Sequence, residues 1–523
     1  MRASVKRFIV FVLFLFGIMG KAFPADTLDI NRSKLYFDNM SEINVWMRSS
    51  NPAGFALLEN LKRINLVEAG YLFTRKELKF PAEPGLTNSF RADTRGLGRI
   101  GKLTFSGSFG YVNEHYNDLL YNNTLNFDPD NLYILGDTVG GKQQKEGFFL
   151  KGMVAYPVGD RIKIGLDINY QNYVGAKMKD PRNKNDISSL LITPGIIIEA
   201  GKFSFGLSGS PVITNNDTSV SVTEDAKHSL MQFLGFGYYK PILNIYTYSN
   251  TYYGKGYNAD AQINYTKGNY SNFLILSYKK LKEEVRYGTS NRLTDGISNK
   301  NTFYVTDIQD FRKSNNLHRL NITFNLAQIA GTEVMQHFES IIVGSYHYDT
   351  LIVDKWTEGR HISTNYNGVV EYSWTNYRGA LERYRMIAGI SGDLMTAYHY
   401  PVLTNGFQEV MSIIPYAGFR SFIKTGSITL IPQIAARYRM NLYKDKQYTI
   451  TKWSVPEFQQ LDYIARYSDY LQGDVSISFI KKTKIRNIPE YFIDLNAVYS
   501  YFPEGVDGPA QNIFINTSVG LIF

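Results

Sequence analysis

The stretch Gln511 to Phe523, QNIFINTSVGLIF, decides the fold. Every second residue back from the end gives Phe523, Leu521, Val519, Thr517, Ile515 and Ile513, and the interleaved set is Ile522, Gly520, Ser518, Asn516, Phe514 and Asn512. Strand side chains alternate faces with period two, so this segment has one greasy wall and one wettable wall. A strand of a soluble sandwich reads the same way. Three further features separate the two: the pattern recurs through most of the chain, it follows an export signal, and the chain closes on an aromatic residue. Together they predict an all-β fold, a transmembrane antiparallel up-and-down β-barrel of the bacterial outer membrane. Val519, Leu521 and Phe523 read as a carboxy-terminal signal for the barrel-assembly machinery.

Working back along the chain, Ile162, Ile164, Leu166, Ile168 and Tyr170 alternate with Lys163, Gly165, Asp167, Asn169 and Gln171. A charged row cannot face lipid cheaply, so it is assigned to the lumen. The same logic turns Asp260, Arg319, Arg437, Arg439, Asp474 and Asp494 inward. Short Gly, Lys or Asn turns, such as Arg99–Gly101, Glu199–Lys202, Lys267–Asn269 and Ile329–Gly331, are expected in the periplasm. Longer polar stretches at 115–145, 211–255, 284–315 and 443–461 are expected outside the cell. This division gives about eighteen strands. Fourteen and sixteen are the alternatives, because residues 65–98 and 302–349 are weakly patterned. The count takes 315–327 and 332–349 as separate strands and 463–480 as one.

At the amino terminus, Arg2, Lys6 and Arg7 precede an uncharged run from Phe8 to Gly20, the form of a secretory signal peptide. Residues 1–22 are assigned to it, with cleavage after Ala22 and Ala25 as the alternative. The run is too short to favour a spanning helix, which needs roughly 20 apolar residues. The chain contains no cysteine, which excludes a lipid-anchoring thiol, disulfides and thiolate metal sites. Its 39 Tyr and 33 Phe suit aromatic girdles at two membrane interfaces. A net charge of +9 without a basic run fits anionic lipopolysaccharide better than nucleic acid.

Residues 23–64 precede the first strand and are less regular; 65–523 form the barrel. The core of that segment, NVWMRSSNPAGFALLENL, reads as short helical pieces on either side of a turn at Asn51 and Pro52. Trp46, Met47, Phe55, Leu57 and Leu58 need burial, which favours a luminal plug over a periplasmic arm. The stretch Asn51-Pro52-Ala53-Gly54, with Leu57 and Leu58 and a strand from about Ile64, resembles the amino-terminal segment of FadL-type outer-membrane transporters. That resemblance implies a plugged barrel passing hydrophobic small molecules, with Trp46, Asn51, Pro52, Gly54 and Phe55 as plug or ligand residues. The rest of the chain resembles the large barrel proteins of Bacteroidota, whose partners often include TonB-dependent receptor systems.

Seven histidines lie scattered without metal-ligand spacing, and no nucleophile elbow or phosphate loop is present, so no metal, cofactor or catalytic residue is assigned. His361 or His399 beside loop carboxylates is the nearest approach to a rim-located hydrolase. Asp128-Pro129-Asp130 reads as a solvated turn, with calcium ligation as the alternative. The luminal charges, being of both signs, suggest a salt-bridged interior. The segment 244–258, NIYTYSNTYYGKGYN, reads as a tyrosine-rich loop. The expected work is non-enzymatic passage of small hydrophobic or amphipathic molecules. The alternative is a subunit of a larger TonB-dependent uptake or secretion complex with envelope partner proteins.

Overall fold

Antiparallel pairing runs from the first strand to the last and back to the first. The computed structural model describes residues 34–58, 63–125, 127–222, 230–242, 246–288, 293–343, 346–378, 381–399, 406–485 and 489–523. The assigned signal peptide lies outside the described residues. The strands are β1 Ile64–Lys76, β2 Leu86–Ile100, β3 Leu103–Leu119, β4 Leu135–Asp137, β5 Gly141–Val158, β6 Ile162–Lys177, β7 Arg182–Ala200 and β8 Phe203–Ser221. They continue as β9 Leu230–Phe233, β10 Tyr239–Pro241, β11 Thr247–Lys267, β12 Tyr270–Tyr287, β13 Leu293–Lys313, β14 Asn316–Val343 and β15 Tyr346–Arg378. The last are β16 Leu381–His399, β17 Gly406–Ser421, β18 Ile423–Thr425, β19 Ile428–Gln447, β20 Tyr470–Lys482, β21 Glu490–Phe502 and β22 Ala510–Ile522. β4, β9 and β10 form a small separate sheet in the loops, and β17 and β18 are one stave interrupted at Phe422, which leaves a closed barrel of eighteen staves.

β22 closes the ring on β1, with Val67 opposite Leu521 and Tyr71 opposite Thr517. The backbones of Asn65 and Phe523 exchange hydrogen bonds of 2.8 and 2.9 Å, so the terminal residue is pinned into the seam. Ile164, Leu166 and Ile168 are about two-fifths exposed on the outer face, as a lipid-facing row requires. On β8 the outward apolar row runs from Phe203 to Ile213. At about 3.3 Å per residue and a tilt of about 45°, that row spans roughly 24 Å along the barrel axis, the height of an apolar membrane band. Phe203, Tyr265 and Tyr270 follow one another along the short-turn edge of the band as tilted ring pairs, with centroids 4.9 and 6.4 Å apart.

The strand count agrees with the sequence reading, but two assignments inside it do not. β13 occupies most of the expected loop 284–315, and β14 runs unbroken through the expected turn at Ile329–Gly331. The physical causes are local. The two-residue turns at Gly101, Gly201 and Gly268 use glycine at positive φ, whereas the turn between β13 and β14 uses Ser314 at φ 53°, which leaves no glycine to mark it. β13 also breaks the alternation locally: Phe303 and Phe311 face outward as expected, but Ile308 points inward and is buried, while Asp307 and Gln309 on the outer face bond each other at 2.7 Å. Three other boundaries move. β8 and β11 extend far into the expected loop 211–255, so most of the tyrosine-rich segment is strand. The expected strand 463–480 begins as the end of a helix, Pro456–Tyr467, before β20 starts at Tyr470.

Leu166 sits mid-band and Ile162 at its edge, which separates depth from chemistry. Leu166→Arg is expected to destabilise the barrel by about 2–4 kcal/mol and Ile162→Arg by no more than about 1 kcal/mol. Reversible urea unfolding in phospholipid bilayers checks both.

Candidate functional site

The amino-terminal segment enters the lumen at the short-turn end as two helical turns, Lys34–Asp38 and Met40–Ile43, and two 3-10 turns, Val45–Arg48 and Pro52–Leu57. Asn51 precedes a proline and is therefore extended; its side-chain oxygen caps the second 3-10 turn by accepting from the Ala53 N–H at 3.0 Å. Its amide Nδ2 donates to the Ile196 and Leu207 carbonyls at 3.0 and 3.3 Å and to Gln262 Oε1 at 3.0 Å. One buried side chain thus ties the turn to β7, β8 and β11. Gly54 serves close approach rather than a positive φ, because a Cβ there would stand 2.8 Å from that of Trp46.

The wall is notched to receive this turn. Gly165, Gly195 and Gly206 face it from β6, β7 and β8; a Cβ on Gly165 would stand 2.5 Å from the Pro52–Ala53 peptide, and one on Gly195 2.2 Å from Asn51 Oδ1. On Gly206 it would meet the Trp46 ring at 2.5 Å. Trp46 meets Phe273 edge-on at 5.1 Å and packs with Ala53, Ile197 and Ile308. Across the lumen, Leu35 and Tyr36 pack into a second dry cluster with Ile64, Leu97, Ile480, Phe492 and Ile522.

Charges complete the tether. Glu42 accepts from Arg48 at 3.0 Å, from Arg385 on β16 at 3.2 Å, and from Arg319 on β14. Arg319 is also held bidentately by Asp310 at 2.6 and 2.7 Å, and Arg385 by Glu382 at 2.8 Å. Burial pushes the Glu42 carboxyl up, but Arg319, Arg385 and Arg48 together outweigh it and hold the group at about 2. Lys34 pairs with Asp38 at 2.6 Å and with Asp494 on β21 at 3.1 Å. Arg99 on β2 donates to the Leu58 carbonyl at 2.7 Å.

Above this plug lies a chamber of about 700 Å³, walled by β5 to β8 and β11 to β13. Lys151, Asp167, Asp260 and Lys279 line it alongside Met153, Leu191 and Ile275. The long-loop end is filled by the small β4/β9/β10 sheet and the helix Pro456–Tyr467, where Phe233 and Phe458 stack at 4.8 Å. Arg466 of that helix bonds Asp462 and Asp130 at 3.1 Å, and Asp128 approaches Lys300 at 3.4 Å, so both aspartates of the 128–130 turn face cations of the protein.

Of the luminal charges read from sequence, Asp167 and Asp260 line the chamber, and Arg319 and Asp494 hold the plug. Lys163 sits lower, at the short-turn rim, bonded to Glu199 and the Asp160 carbonyl. Asp474 accepts from Asn496 at 3.0 Å, while Arg437 and Arg439 stand on β19 away from the chamber. Trp46, Asn51, Pro52, Gly54 and Phe55 all belong to the plug. Sequence reasoning missed the three notch glycines, Glu42 with Arg48 and Arg385, and the chamber residues Lys151 and Lys279. The inward parity of Gly165 was visible; its contact with Pro52 was not. His361 and His399, opposed on β15 and β16, meet Phe236 edge-on and stack on Tyr238 respectively, both at a centroid distance of 5.0 Å. Among the described residues there is no group of three metal-ligating side chains.

The profile of a family of unknown function, DUF6850, matches residues 52–523. No curated protein matches the sequence. Among solved structures, the ferric preacinetobactin receptor BauA of Acinetobacter baumannii is similar at 8% identity and a TM-score of 0.36, over 88% of this chain and 80% of that one. The copper transporter OprC gives 7% and 0.38 over 87% and 80%, and OccAB3 of Acinetobacter baumannii 8% and 0.34 over 88% and 99%. Likenesses this distant carry no argument about what the chain binds.

Two outcomes test the tether. Gly195→Val places atoms where Asn51 and Pro52 now sit; it is expected to cost about 1–3 kcal/mol of plug attachment and to speed proteolysis after Arg48 in the folded protein. The Glu42 carboxyl is held at about 2 against an ordinary 4.5, so the released state binds the proton more readily. Ionisation of Glu42 therefore favours the docked plug fully above pH 4.5, and that preference is lost as pH falls toward 2. Protease accessibility at Arg48, followed by acid pulse, should rise over that window in the wild type and be high and pH-independent in Glu42→Gln.

Proposed function

The chain belongs to the DUF6850 family, and from the geometry of its lumen we propose that it is a non-enzymatic outer-membrane conduit for small amphipathic solutes, gated by its amino-terminal plug. The observation that carries this reading is the chamber of about 700 Å³ enclosed by a noncovalently tethered plug and the barrel wall. A cavity of that size suits a small molecule. Its lining mixes charged and hydroxyl groups with Met153, Leu191 and Ile275, which supports an amphipathic solute over a purely hydrophobic one. The short-turn end faces the periplasm and the long-loop end the lipopolysaccharide, with insertion by the barrel-assembly machinery. A rim-located hydrolase is less well supported, because the His361 and His399 rings pack against Phe236 and Tyr238.

A second reading, a subunit of a larger envelope complex, is favoured by one observation. β14 and β15 continue past the last ladder partners on either side, Glu333 opposite Gly296 and His361 opposite His399, so their outer halves pair only with each other among the described residues. Such a hairpin offers two free backbone edges to a partner protein.

Flux through proteoliposomes separates these readings. The full-length barrel should leave vesicles sealed or slowly permeable to a small amphipathic dye, and removal of residues 34–58 should speed efflux at least tenfold. Gly195→Val gives an intermediate rate and guards against misfolding of the deletion. Vesicles that stay sealed with both variants, each verified as folded by heat-modifiable mobility, would exclude the conduit and favour the complex subunit.

A further inference from the structure

One row of inward side chains crosses the chamber wall along the hydrogen-bonding direction. Asp167 on β6 is opposite Thr193 on β7, the Thr193 and Ser210 hydroxyls bond at 2.6 Å, Ser210 on β8 is opposite Asn258 on β11, and Asn258 is opposite Lys279 on β12. All five line the chamber. The row therefore begins with a carboxylate, passes through two hydroxyls and an amide, and ends with an ammonium. Neither end is fully satisfied within the protein, although the free oxygen of Asp167 is buried and a ligand ammonium reaches it only if that side chain turns toward the chamber. Lys279 Nζ lies 5.0 Å over the Tyr304 ring and pairs with no carboxylate among the described residues, and Asp167 has Lys151 at 3.4 Å while its other oxygen lacks a hydrogen-bond partner.

Four strand steps of about 4.8 Å separate the ends by roughly 19 Å along the wall, and less across the chord. An extended chain at about 3.3–3.6 Å per residue bridges such a gap with roughly three to five residues. We propose that the chamber binds a short peptide with free termini, its ammonium at Asp167, its carboxylate at Lys279, and its amides along Thr193, Ser210 and Asn258. Leu191 and Met153 beside the row give apolar contact for small side chains. The inference rests on the conduit reading and names its solute class.

Calorimetric titration of the full-length protein in detergent with tetra-alanine tests it. Tetra-alanine should bind, and N-acetylation or C-amidation of the peptide should each weaken binding about tenfold. Lys279→Met should weaken free tetra-alanine by the same factor and leave the C-amidated peptide unaffected; Asp167→Asn should do likewise for the N-acetylated one. Equal binding of free and doubly capped peptide, binding of none of them, or binding of maltotetraose in their place would overturn the proposal. Because capping alters only the peptide, the wild-type comparison stands even where a variant fails to fold. Peptide binding without dye efflux from the plug deletion would sink the conduit and keep the site; efflux without peptide binding would do the reverse.

Discussion

Closure of β22 onto β1 is the constraint on which the other features depend. In hydrocarbon a free strand edge leaves its N–H and C=O groups without partners at several kcal/mol each, so a sheet can cross only if it has no edge. The mutual bonds of Asn65 and Phe523 complete that condition at the last residue of the chain. Once the ring is shut, every position acquires an inside or an outside. The outer parity must be apolar, and the inner one is released from that demand and can carry Glu199, Asp260 or Arg319. Plug, chamber and cap all use this release.

Legibility in the sequence followed the same division. Outer faces were readable wherever lipid alone set the composition, as in Ile162 to Ile168 and in the final strand. They were unreadable where the lumen was dry. Ile308 is apolar and inward because Trp46 and Phe273 pack there, so the alternation of β13 fails around that one position. Ile522, on the nominally wettable wall, is buried against Leu35 and Tyr36 for the same reason. The count of eighteen survived because the strand lost at 293–313 was replaced by a second one cut from the uninterrupted β14. The alternation of turn and loop ends held elsewhere but not here: residue 315, expected outside the cell, lies in the short turn between β13 and β14, and Ile329–Gly331, expected in a short turn, lies within β14.

The plug was legible as a need for burial, since Trp46 and Phe55 could not remain in water, and its turn was legible in Asn51-Pro52. Its dock was not. Gly165, Gly195 and Gly206 are separated by 30 and 11 positions in sequence and become neighbours only through the register of β6, β7 and β8. A glycine within a strand signals that something approaches closely, without naming what. Likewise, the row from Asp167 to Lys279 exists only once five strands are in register, because each of its members is an ordinary polar residue in its own strand.

The ionic part of the tether is balanced in a way that bears on its role. Arg48, Arg319 and Arg385 face Glu42, Asp310 and Glu382, three charges against three, and Arg48 and Glu42 travel with the plug as a neutral pair. A buried network of this kind contributes little net stability, because desolvation offsets most of the Coulombic gain, yet losing one member leaves a charge without its partner. Its effect is therefore to select one position for the plug. Here that selectivity has a further consequence: when the plug leaves, Arg319 keeps Asp310 and Arg385 keeps Glu382, so neither wall cation is left bare. Withdrawal takes Lys34 away from Asp494 but leaves the arginine part of the wall paired, and the resistance to it comes chiefly from the two apolar clusters and from the three acceptors that hold the amide of Asn51.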